Sequence, residues 1–162
     1  MRPEQWQAVA FVLRCAGAAV LALLIATWAG LDHPVWATMS ALVVSQDRLG
    51  DTRRTLGWRI VATAVGIGGA VTVGSALAGA GPGVTLGMVV AICAALARWR
   101  SDLQLSMWTA AIVLLTVAPG QSIAHAGFAR GVEVSIGGLV GAALHQSAEV
   151  AVAAVSRRRA MC

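Results

Sequence analysis

Arg59 and Arg130 stand in apolar surroundings, and each precedes a run of small residues. Thr63 and Gly66 follow Arg59 by four and seven positions, and Val134 and Gly137 follow Arg130 at the same spacings. A planar guanidinium offers two parallel N–H donors, which match the two oxygens of a carboxylate. Both arginines are expected near helix N-termini, where the backbone dipole favours anions. The chemistry these residues could perform is therefore anion binding. The candidate substrate-binding set is Arg59, Arg130, Thr63 and Gly66, with the tryptophans Trp36 and Trp108 that precede the arginines by 23 and 22 residues. A plainer reading stands beside it. An interfacial arginine can snorkel to lipid phosphate and fix topology, and small residues let helix backbones approach closely.

Three further residues are candidates for proton coupling. Glu133 lies one helical turn past Arg130 and can pair with it, which would lower the burial cost of both. His145 and Glu149 share a face at i, i+4. They either mark the interfacial end of a helix or form a proton site, since histidine titrates near neutral pH. Little else could react. Cys15, Cys93 and Cys162 have no metal-ligand spacing, and a free cysteine in an apolar run behaves as a small hydrophobe. "GVEVSIGG" lacks the Gly-Lys-Ser/Thr of a phosphate loop. No enzyme activity, metal or cofactor is expected.

The elements that must hold these residues are unusually apolar. Of 162 residues, 58% are hydrophobic and only 12% are charged. A soluble domain carries about twice that charge fraction, and one this small has too little interior to hide so much apolar surface. A lipid bilayer is the expected solvent. The net charge of +5 could indicate nucleic acid, but there is no lysine and the arginines sit at the ends of apolar runs. No nucleic-acid partner is expected.

Six apolar segments run at roughly 11–31, 34–45, 60–80, 84–97, 103–118 and 131–154. Hydrocarbon admits only helices and closed barrels, and no segment alternates with the period of a barrel strand. The expected fold is all-α: one polytopic transmembrane domain, residues 1–162, with six transmembrane helices. The second, fourth and fifth segments fall short of the roughly 20 residues a span needs. The first segment follows Arg2 like a signal peptide, but the later segments mark it as a retained helix. With both termini cytoplasmic, eleven of the twelve arginines fall on the cytoplasmic side and only Arg130 on the other.

The chain also reads as two inverted three-helix repeats, about 8–80 and 83–153. In each, a short tryptophan-bearing helix leads through a loop to an arginine and a glycine-rich helix. An odd number of spans per half inverts the second copy, an arrangement found in many transporters.

The stretch "HPVWATMSALVVSQDRLGDTRRTLGWRIVATAVGIGGA", His33 to Ala70, resembles the fusaric acid resistance protein-like family, which includes the aromatic acid exporters. The resemblance rests on Pro34, Trp36 and Ala37, then Thr52 and Arg54, then Arg59, Thr63 and Gly66. It implies efflux of aromatic carboxylic acids or similar organic anions across a bacterial inner membrane. The chain has no sizeable cytoplasmic domain, and six short helices are few to enclose a pathway, so a homodimer or higher oligomer is expected. Two other readings remain: an anion channel on the same scaffold, or a non-transporting membrane subunit that assembles with or regulates a partner.

Overall fold

The computed structural model describes the backbone of residues 3–45 and 49–160, and the side chains of residues 8–45 and 54–148. It contains six α-helices and no strand among the described residues. They are α1 (Pro3–Trp28), α2 (Pro34–Ser45), α3 (Leu49–Ala76), α4 (Pro82–Trp99), α5 (Leu105–Leu115) and α6 (Ile123–Ala160), with a short 3₁₀ turn, Ser101–Leu103, before α5.

The six apolar segments are the six helices, but their ends differ from the sequence expectation. Four helices (α1, α3, α4 and α6) are long and apolar enough to cross a membrane. The fourth segment is not short: Pro82 sits in the first turn, where its missing N–H costs nothing, and the helix runs on through Arg98 and Trp99 for 18 residues. The second and fifth remain short. At 1.5 Å per residue, α2 with 12 residues and α5 with 11 reach only about 18 Å or less, roughly half of a 30 Å hydrocarbon core.

The chain divides into two compact units, Met1–Leu56 with Glu133–Cys162, and Gly57–Val132. In the first unit α1 packs on α2. Ala18, Ala22 and Ala26 recur every fourth residue along one face of α1 and meet Ala37 and Ala41 of α2. Gly30, at φ 68°, ends α1. The Leu31 N–H donates to Ala26 O at 3.1 Å, and Leu31 folds back onto the alanine cluster. This is the glycine-terminated helix end in which one hydrophobic contact accompanies the reversed hydrogen bonds. The α6 segment of this unit lies on α2 with almost no side chain between them. A Cβ on Gly137 would fall on the Ala37 carbonyl, and one on Gly141 would stand 2.6 Å from Ala41 O. Ser40 Oγ donates to Val134 O at 2.7 Å across the same seam. Lipid tails are as apolar as leucine, so close packing and such interhelical bonds are what hold membrane helices together.

The second unit builds the same kind of contact from different helices. Val89 and Cys93 of α4 pack on Ala110 of α5. Gly66 of α3 lies against α5, where a Cβ would stand 2.6 Å from Ser106 O and 2.8 Å from Thr109 Cβ. Gly127, near the start of α6, accommodates Ile67, whose Cγ2 would be 2.6 Å from an added Cβ. At one edge the Arg100 guanidinium lies 4.4 Å over the Trp58 ring, a cation–π contact between the residue after α4 and α3.

Candidate functional site

Both arginines lie inside helices, not at their starts. α3 begins at Leu49 and α6 at Ile123, so Arg59 is nearly three turns in and Arg130 about two. The expectation that each stands near a helix N-terminus is corrected on this point. The dipole's reach falls off within the first turn, so it lends neither arginine much help with an anion. The polar residues before each arginine read as loops because they are charged or hydrophilic. The parts that fold as helix, from Leu49 before Arg59 and from Ile123 (after Pro119) before Arg130, contain no proline, and isolated glycines such as Gly57 and Gly127 do not break a helix held by tertiary contacts.

Within the second unit Arg130 is 4% exposed, and its Nη2 donates to Thr116 Oγ1 at 3.4 Å. The Thr116 hydroxyl in turn donates to Ile112 O at 2.8 Å. Thr116 is the residue that closes α5. The guanidinium is therefore anchored at the C-terminal end of a helix, where partial negative charge collects. Arg59 is half-buried on α3. One turn on, Thr63 is 3% exposed and its hydroxyl makes no hydrogen bond among the described residues. Gly66, a turn beyond, is filled by the α5 backbone as described above. The small-residue face past Arg59 is thus occupied at Gly66 and carries an unmade hydroxyl at Thr63. Trp108 is exposed; Trp36, which belongs to the first unit, is half-buried.

The remaining candidates belong to the first unit. Glu133 is 1% exposed, and its Oε1 accepts the His33 backbone N–H at 2.9 Å. His33 is the residue before α2, so the carboxylate supplies the acceptor that a helix start needs. The His33 Nδ1 lies 3.9 Å from the same oxygen, and the ring is half exposed. Spacing along α6 suggests Arg130 as a partner for Glu133; the additional partner at the start of α2, a hundred residues away, left no local signal. His145 is 1% exposed, and neither ring nitrogen is hydrogen-bonded among the described residues. Glu149 lies in α6, but its side chain is outside the described residues. Sequence reasoning missed two polar groups in the second unit, Ser106 (fully buried) and Thr116. Hydroxyls in apolar helices are common because they bond back to their own turn, so nothing singled these two out.

An all-helical chain with four membrane-length apolar helices defines the class: a multi-pass membrane protein. Large apolar side chains face outward, with Val12 62%, Leu13 66% and Phe128 72% exposed, as lipid-facing helices require. The fusaric acid resistance protein-like family model matches residues 21–144, and the chain belongs to that family. Membership brings a membrane transporter-like role, in a family of transporters rather than enzymes. No curated protein and no solved structure matches the chain significantly.

Proposed function

We propose that the protein exports organic anions, aromatic carboxylates foremost, across a bacterial inner membrane, with both termini cytoplasmic. The observation that carries this reading is Arg130. It is a guanidinium withdrawn almost wholly from solvent inside a membrane-length helix, with Nη2 donating to a threonine. Ionisable groups at membrane depth are expensive, and where they persist they mark ion or substrate pathways. Arg59, on the cytoplasmic side in this topology, would meet the carboxylate first, and Arg130 would meet it before release. Within the second unit Thr63, with its unmade hydroxyl, and the ring of Trp108 complete the set, while Gly66 brings α5 close to α3.

An internal inverted repeat fits the same reading. Gly66 and Gly137 each stand seven residues past an arginine. Their contacts, Thr109 and Ala37, each stand one residue past a tryptophan. Each short helix is thus packed by the glycine-rich helix of the opposite half, as a two-fold exchange requires.

The test is counterflow in proteoliposomes loaded with unlabelled benzoate. Labelled benzoate is expected to accumulate transiently and to be inhibited by aromatic carboxylates more than by acetate or chloride. Conductance without counterflow would replace the exporter with a channel. Absence of both would leave a non-transporting subunit.

A further inference from the structure

His145 is a buried group that the anion pathway does not use. It stands one turn past Gly141 on the same face of α6, and Ser45 stands one turn past Ala41 on α2. The Ser45 side chain is fully buried, and its hydroxyl is committed to its own helix, donating to Ala41 O at 2.8 Å. Leu144 and Val140 of α6 cover the alanine cluster beside it. Among the described side chains of α1, the titratable groups towards this end are Arg14 and Cys15. The Arg14 guanidinium is turned along α1 onto the Phe11 ring, 5.4 Å from its centroid, and Cys15 is a half-buried free thiol. α2 has no titratable residue. α3 places Leu56 against Gly138, and Arg54 is exposed. On α6 itself Glu149 follows one turn later, its side chain outside the described residues. Among the described side chains, none of these elements brings a carboxylate to the ring.

A neutral imidazole has one donor and one acceptor, and both are unmade here. The protonated ring would have two donors unmade and a charge among alanines, glycines and leucines, which is far more costly. It needs water. Water has no room where the seam is closed backbone to backbone at Gly137 and Gly141. The closed seam and the proton-bound ring therefore exclude one another. We infer that His145 is a proton-binding site, and that binding the proton opens the α1–α2–α6 seam to water at the level of Ser45. If the protein exports anions as proposed, this site gives protons a means of driving that movement; the proton site itself does not depend on that reading.

The experiment uses the full chain in lipid nanodiscs, with the native cysteines replaced and Ser45→Cys as the probe. Its labelling by a membrane-impermeant maleimide is followed at about pH 8 and about pH 5, which bracket the ordinary titration of histidine. Each rate is divided by that of the same probe in a His145→Gln background, so that the thiol's own pH dependence cancels. This ratio is expected to rise by about fivefold or more on acidification through the ordinary histidine range. A ratio constant within about twofold overturns the proposal, since no histidine-dependent opening then accompanies acidification. If His145→Gln does not fold, the exposed probe Phe128→Cys supplies the normalisation. Benzoate counterflow is measured on the same preparation. Seam opening without counterflow removes the transport reading alone, and counterflow without seam opening removes the proton site alone.

Discussion

The two units close a short helix with glycine in the same manner but bury different chemistry. In the first, Gly137 and Gly141 lay α6 on the backbone of α2, and the buried polar groups are a carboxylate, Glu133, an imidazole, His145, and the hydroxyls of Ser40 and Ser45. In the second, Gly66 lays α3 on α5, and the buried polar groups are a guanidinium, Arg130, and hydroxyls at Thr63, Thr85, Ser106 and Thr109, so the charged groups are what distinguish the units. What repeats is the packing; what differs is the side-chain chemistry carried on it. Packing of bare backbones is held by van der Waals contact and needs a glycine at a fixed place. The polar groups are free of that constraint and can specialise.

The comparison breaks first at the glycines. Gly137→Ala drives a methyl group into the Ala37 carbonyl and is expected to cost about 3 kcal/mol or more, because helix backbones cannot give way as a flexible side chain does. Gly66→Ala meets Ser106 O and Thr109 Cβ at 2.6 and 2.8 Å, and is expected to cost about 1–3 kcal/mol. Gly87, on α4, has nothing within 4 Å, so Gly87→Ala is expected to be neutral or stabilising by up to about 1 kcal/mol. Unfolding in mixed micelles by SDS titration ranks the three. Equal costs at all three would show that glycine serves the helices through backbone freedom and not through close approach.

Much of this was legible in the sequence and some was not. The six helices follow from apolar runs that hydrocarbon permits only as helices. The faces of Thr63, Gly66 and Ala70, and of Val134, Gly137 and Gly141, follow from helical spacing, and all six residues are buried. The helix ends were misplaced because charge reads as loop, whereas Arg53, Arg54 and Arg59 lie within α3. The bond from His33 to Glu133 and the isolation of His145 depend on which helices meet, and spacing along one helix does not encode that. The pairing of α2 with α6 and of α5 with α3 was hidden for the same reason.

The polar groups sharpen the comparison with smaller effects. Glu133→Ala leaves the N–H at the start of α2 without its acceptor and is expected to cost about 1–3 kcal/mol. Glu133→Gln keeps an oxygen in place and should cost less than about 1 kcal/mol. A charge-dependent role would make the two alike. In the second unit, Thr116→Val removes the bond to Arg130. At 3.4 Å this bond is long, so the expected loss is below about 1 kcal/mol. Both effects are read from the same denaturation curves.

The central claim is that the arginines bind a carboxylate in transit. It is tested most directly by initial benzoate uptake in proteoliposomes, normalised to correctly oriented protein, for Lys and Ala variants of Arg59 and Arg130. Lysine keeps the charge but loses the planar fork, so each Lys variant should be partly active. Each Ala variant should lose about tenfold to a hundredfold in apparent affinity, the worth of a buried charge-assisted hydrogen bond. Ala variants within about twofold of the wild type, far below that loss, would contradict the account and leave Arg59 as a lipid anchor and Arg130 as a structural tie to α5.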